Sequence, residues 1–291
     1  MFKKLIGICL FTVTFSASAY ASDLSKMCAA PYDMSWKSTK VLTNITGMTF
    51  LTQAITNSII KGELKKATGS KGFKANMKSF SANDLAAGRF KSLAITGKNL
   101  NMDGVYLSEF NASTICDFNY IKATKKSVKF KENFAMNYSM AISNEDLKKT
   151  VLSKDYLTFL HSMNFKMGGV NLFELEDVDV NFKDDKFYFS IKMKNTLFNY
   201  TIPFNMEVSS KMKVQNGKIK VSEVALENLN QKISLTQVTN LLNMINPLNF
   251  TVNILDNENT KVAIKTLDIK NDKLTIDGTL FVPKNTEEVR K

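Results

Sequence analysis

Several stretches of this chain alternate apolar and polar residues with a period of two. That period commits most of the length to half-buried strands, because successive side chains of a strand point to opposite faces. Phe187, Phe189, Ile191 and Met193 alternate with Tyr188, Ser190, Lys192 and Lys194, after a turn at Asp184-Asp185. Met206, Val208, Met212 and Val214 alternate with Glu207, Ser209, Lys211 and Lys213. Asn216-Gly217 then leads into Ile219 and Val221, the strongest short hairpin signal a sequence offers. Val262-Ile264 and Leu267-Ile269 run through Asn271-Asp272 into Leu274, Ile276, Leu280 and Val282, a further hairpin. The sheet expected from these runs is antiparallel and meandering.

Helical periodicity is concentrated elsewhere. Val41, Ile45, Met48, Leu51, Ile55 and Ile59 recur at steps of three and four, so Ser35 to Ala67 reads as one long helix. Gly47, Gly62 and many threonines weaken it. Val41 to Ile60 holds no charge, yet its threonines and asparagines make it too polar for a membrane span. A surface helix normally carries a charged face, so this one is expected to be covered on several sides. Two shorter helices follow strand-rich stretches. One starts at Ser143, with Asp146 in the place a capping box wants an acid, and runs to His161; the other starts at Ser234 with Gln237 in that place and ends at Asn246-Pro247. The fold class expected is α+β: a long N-terminal helix packed in a strongly curved, mostly antiparallel meandering sheet, with two shorter helices.

The first twenty-one residues read as a secretory signal peptide. Lys3 and Lys4 precede the apolar run Leu5 to Phe15, and Ala19-Tyr20-Ala21 forms a small-x-small cleavage site before Ser22. The apolar run is too short to span a bilayer. Residues 22–291, with no proline-rich or low-complexity linker, are expected to form one domain that works outside the cytoplasm. The whole chain has a net charge of +12, two units of which are Lys3 and Lys4. Outside the cytoplasm a basic excess points to phospholipid head groups and envelope polymers rather than nucleic acid; solubility alone would also account for it. Removing the leader leaves Cys28 and Cys116 as the only cysteines, a pair that can close one disulfide in an oxidising compartment.

No residue set announces catalysis. His161 is the only histidine, and no G-x-S-x-G elbow, P-loop or G-x-G-x-x-G accompanies it. In the last turn of a helix it fits a role at the helix end. Glu174, Glu176, Asp177 and Asp179 could in principle pair as acids or hold calcium, but Leu175, Val178 and Val180 intervene as on a strand with one wet face. The expectation is a protein that is not an enzyme and carries no metal or cofactor. The 21 phenylalanines and 14 methionines suit an ordinary core or an adaptable apolar lining.

Three passages resemble the LmeA-type phospholipid-binding family of bacterial envelope proteins. They are Asn83-Asp84-Leu85-Ala86-Ala87-Gly88-Arg89-Phe90-Lys91-Ser92-Leu93 with Ala94-Ile95-Thr96-Gly97 and Asp103-Gly104-Val105; Ala141-Ile142-Ser143-Asn144-Glu145-Asp146-Leu147; and Asn246-Pro247-Leu248 with Leu274-Thr275-Ile276-Asp277-Gly278-Thr279-Leu280. The resemblance covers residues 35–283. The resemblance implies an elongated lipid-binding fold with a long helix inside a curved sheet, acyl chains in an apolar groove, and no catalytic residue. The function expected is that of an extracytoplasmic phospholipid-binding protein, a lipid carrier in envelope biogenesis. Acyl chains would lie against Leu51, Ile55, Ile59, Phe187, Phe189, Ile191, Met206, Val208 and Met212. Lys61, Lys65, Lys66, Lys71 and Lys74 would face anionic head groups or the membrane surface. Two other functions stay open: an envelope scaffold or adhesin with a fully packed core, and a lipid hydrolase using His161.

Overall fold

A computed structural model describes residues 24–68, 70–102, 104–124, 127–162, 164–167, 170–197, 200–227, 235–249, 260–270 and 273–289. The leader with its cleavage site, the Ser234 cap and the Asn271-Asp272 turn lie outside the described residues. Every strand pairing among the described residues is antiparallel, in keeping with the alternation.

The described strands form three sheets, not the single strongly curved one expected. The first contains β1 (Phe73–Lys78), β3 (Ser92–Met102), β4 (Val105–Thr114), β7 (Phe134–Ser143), β14 (Lys273–Val282) and β13 (Lys261–Lys270), in that spatial order. The second contains β12 (Lys218–Leu226), β11 (Tyr200–Gln215), β10 (Lys186–Leu197), β9 (Val170–Lys183) and β8 (Asn164–Met167). A small third sheet joins β15 (Glu287–Val289), β6 (Ser127–Phe130), β5 (Asn119–Ala123) and β2 (Arg89–Phe90).

Local chemistry explains the hairpins. Asp184 and Asp185 have φ of 51° and 62°, and Asn216 and Gly217 have 53° and 70°. Positive φ at both central residues matches the right-handed twist of the flanking strands, and these residue types tolerate it. Bulges adjust the faces: a register shift between Lys192 and Met193 opposite β9, one at Ser209/Lys211 against β12, where Glu223 takes φ 50°, one at Ile264/Thr266 in β13, and one at Phe165/Lys166 between β8 and β9.

The single N-terminal helix is two helices, α1 (Lys37–Ile45) and α2 (Met48–Thr68). Thr46 and Gly47 break it. Gly47 has φ +72°, a left-handed conformation that ends a helix and that glycine reaches without steric penalty. The pair is not enclosed by a sheet. α2 runs beside the open edge of β1: the Met77 amide donates to Asn57 Oδ1 at 2.8 Å, and Gln53 Nε2 donates to Ser79 Oγ at 2.9 Å. An uncovered strand edge would otherwise invite pairing with another chain. Ile60 and Leu64 bring the far half of α2 onto the core, and a short α3 (Ala82–Ala86) follows β1.

The helix expected from Ser143 to His161 is also two: α4 (Asn144–Val151) and α5 (Lys154–Ser162). The capping box forms as expected, with the Asp146 amide donating to Ser143 Oγ at 3.1 Å and the Ser143 amide donating to Asp146 Oδ2 at 2.9 Å. Ser153 restarts the helix by accepting from the amides of Tyr156 and Leu157. α6 (Leu235–Ile245) packs on β12, while α4 bridges β4, β7 and β9. The Tyr156 hydroxyl donates to the Ile245 carbonyl, joining α5 to the end of α6. Burial pushes that phenol strongly upward in pKa.

Candidate functional site

The core is where the sequence placed most of its acyl-lining residues. Phe187, Phe189, Ile191, Met206 and Val208 are buried in the inner face of the second sheet, and Met212 is half-buried against it. Leu147, Val151, Tyr156, Leu160, Val238, Leu242 and Ile245 from the three shorter helices belong to the same packed cluster. Leu51 is not with them. It lies exposed on α2; Ile55 and Ile59 are on the same helix, their side chains outside the described set. The structure therefore does not bring the expected lining residues together around one groove.

The surface that stands out is α1 with the first turn of α2. α1 is amphipathic, but it is turned inside out relative to an ordinary surface helix. Thr43 is buried at 7% exposure, and Thr39 and Lys40 are half-buried toward the body. Val41, Leu42 and Ile45 point to solvent, joined by Trp36, Met48, Phe50 and Leu51. Trp36 is 83%, Ile45 78% and Phe50 77% exposed. Scattered exposed apolar residues are normal, but seven large ones within sixteen positions form a patch of the kind that marks an interaction site.

The N-terminal strap holds α1 in that orientation. Cys28 and Cys116 are disulfide-bonded with Cα atoms 5.4 Å apart, which pins residues 24–36 to the body. Arg89 Nη1 meets Asp33 Oδ2 at 2.8 Å, and its Nη2 meets the buried Asp84 Oδ1 at 3.2 Å. The Ser35 amide and hydroxyl both donate to Asp84 Oδ1 at 2.9 Å, and the Ser81 hydroxyl donates to Oδ2 at 2.6 Å. α1 begins two residues after Ser35. Burial works to raise the pKa of Asp84, but the hydrogen bonds from Ser81 and Ser35, with Lys40 nearby, hold it below the ordinary carboxylate value. The Lys40 ammonium lies 5.9 Å from the centre of the Phe80 ring.

The lysines expected at head groups follow the patch in the sequence. Lys61 and Lys65 are exposed on α2, Lys71 is exposed in the loop and Lys74 on β1; Lys66 is on α2 with its side chain outside the described set. His161 is exposed in the last turn of α5. In the acidic run, Glu176 pairs with Lys194, and Asp177 meets Lys192 at 3.5 Å. These are cross-strand ion pairs on a wet face, and no group able to hold a metal is found among the described residues.

Sequence reasoning missed Trp36, Leu42 and Phe50, and also the Asp33–Arg89–Asp84 cluster. A signal for Leu42 was present: on α1, Thr39 and Thr43 fall on one side and Val41, Leu42 and Ile45 on the other. Lack of charge alone points to cover, because a surface helix normally carries a charged face. No helix of eighteen residues or more among the described residues is apolar enough to cross a membrane. No family model, curated protein or solved structure matches this chain.

Proposed function

We propose that this is an exported, non-catalytic phospholipid-binding protein of the cell envelope that works at membrane surfaces through α1 and the start of α2. The observation that carries the reading is the solvent-facing apolar side of α1, free of charge from Val41 onward and flanked by Lys37, Lys61 and Lys65. An apolar stripe with an exposed tryptophan at its edge and lysines beyond it suits the boundary between acyl chains and anionic head groups. Inserting Trp36, Leu42, Ile45, Phe50 and Leu51 gives a gross gain of about 7–15 kcal/mol, before the costs of association and ordering. Each flanking lysine adds about 1 kcal/mol near an anionic bilayer, screened by salt. The disulfide is compatible with an extracytoplasmic setting.

The test is sedimentation with vesicles of phosphatidylglycerol and phosphatidylcholine, together with native mass spectrometry and lipid extraction of the protein purified from its own envelope. Binding that is lost in the double variant Leu42→Ser/Ile45→Ser, with the thermal transition unchanged, is the expected result. The filled core of the second sheet favours a second reading, an envelope scaffold that uses the same face for a protein partner. That reading requires a clean lipid-free mass and no vesicle binding by the unaltered protein.

A further inference from the structure

The solvent face of the first sheet carries a concave feature, separate from the helical patch. A trough of about 530 Å3 crosses β3, β4, β7, β14 and β13. That volume is in the range of small-molecule sites. Its polar lining includes Thr96, Asn111, Ser113, Asn137, Ser139, Asp277 and Lys265. The register explains why they share a face. Thr96 pairs with Asn111, Asn111 with Ser139, and Ser139 with Asp277, one residue per strand in a continuous row. Ala94, Ser113 and Asn137 form the next row on the same side, two residues along each strand.

A bulge aims a cation into this trough. Ile264 pairs with Gly278 and Thr266 with Asp277, so Lys265 is the extra residue of β13. Bulges re-aim a side chain at a local break in pairing. Here the Lys265 ammonium passes over β14 and donates to Asn137 Oδ1 on β7 at 3.2 Å. An ammonium has three donors, so two are left for a ligand. Thr266 Oγ1 donates to Asp277 Oδ2 at 2.9 Å, which leaves the other carboxylate oxygen as an acceptor. The side chains of Thr96, Asn111, Ser113 and Ser139 make no hydrogen bond with any described residue. Lys74 lies directly across from Thr96 at the opposite rim, exposed.

We infer that this trough binds an anionic sugar, its hydroxyls on the row of short hydroxyl and amide side chains and its phosphate at Lys265. Short side chains let a flat polyol approach the sheet, and hydroxyls and amides both donate and accept as sugar hydroxyls do. Asp277 matches a hydroxyl donor, and the cation at the bulge matches the anionic group. The site is independent of the lipid-binding reading, because no residue of α1 or α2 takes part.

Glucose-1-phosphate, glucose and inorganic phosphate are each titrated into the oxidised protein and followed by amide NMR. The expected result is a response to glucose-1-phosphate confined to residues 94–96, 111–113, 137–139, 265 and 277–278. Lys265→Ala weakens it about tenfold, and Ser139→Phe, which fills the floor, abolishes it with the remaining spectrum retained. No response, a response elsewhere, equal binding of inorganic phosphate alone, or indifference to both variants overturns the inference. The source of the sugar is read with the Leu42→Ser/Ile45→Ser variant and vesicles carrying a glycosyl-phosphate lipid. Capture that Lys265→Ala removes assigns a lipid head group; a response to the soluble sugar without capture assigns a free or polymeric glycan. Failure of vesicle binding by the unaltered protein, with the NMR response intact, removes only the lipid-surface reading.

Discussion

Gly88 sits where no other residue fits. Its φ is +87°, and a Cβ there would lie 2.0 Å from the Ile121 carbonyl oxygen, which is backbone and cannot step aside. Gly88→Ala combines left-handed strain with a forced separation of strands, and should destabilise the protein by about 2–4 kcal/mol, measured as the shift in urea midpoint at constant slope. One residue on, Arg89 and its partner Asp84 link stability to pH. Asp84 has a depressed pKa in the folded protein relative to the ordinary 3.8. Its stabilising contribution is therefore complete above the ordinary carboxylate pKa and is lost as pH falls through the lower folded value. Asp84→Asn should reduce stability near neutral pH and flatten its fall below pH 4, and urea titrations across that range check both. An acid limb as steep in the variant as in the unaltered protein would remove Asp84 from that role. Gly88, Arg89 and Asp84 all sit in the passage Asp84-Leu85-Ala86-Ala87-Gly88-Arg89, which the sequence singled out only through a family resemblance. Their long-range partners Ile121, Asp33 and Ser35 were not legible, because no local pattern encodes contacts across tens of residues.

At the scale of elements, the hairpins were readable and the helices were readable only in part. Asp184-Asp185 and Asn216-Gly217 prescribe their own backbone angles, so the turns follow from two residues each. Periodicity found a helix over 35–67 and capping signals one over 143–161, but both ran through breaks, at Thr46-Gly47 and Leu152-Ser153. A three-to-four spacing of apolar residues survives a short interruption, and a glycine in mid-run is often tolerated. The direction in which α1 faces was misjudged for a related reason: amphipathicity defines two sides, and only the strap at Cys28, Asp33 and Ser35 decides which side meets the body. Stability and binding should separate along this helix pair. Ile60→Ser, on the half of α2 that packs on the core, should cost about 2–4 kcal/mol in chemical denaturation. Ile45→Ser should leave the denaturation midpoint within experimental error and act only on vesicle binding. Equal destabilisation by the two would mean that the outer face of α1 is covered by the protein itself.

At the scale of the whole molecule, three antiparallel sheets stand where one curved sheet was expected. The cysteine pairing expected from compartment and count is present, and it closes a loop across a sequence separation of 88 residues. In the chain-entropy account that closure is worth about 4–5 kcal/mol. Reduction, or the pair Cys28→Ser/Cys116→Ser, should lower the unfolding free energy by that order and release the strap that orients α1, seen as faster amide exchange over residues 28–45. A variant as stable as the oxidised protein would show that the strap is held by Arg89 and Asp84 alone. The sequence by itself determined the strands, their antiparallel pairing through short turns, the capped start of α4 and the residues available for the disulfide, since each depends on neighbours a few positions apart. Which strands share a sheet, which face of α1 is left to water, and the passage of Lys265 over β14 to Asn137 were decided only by the tertiary structure. They depend on where distant segments pack, and a period of two or of three to four is the same whichever partner fills the other side.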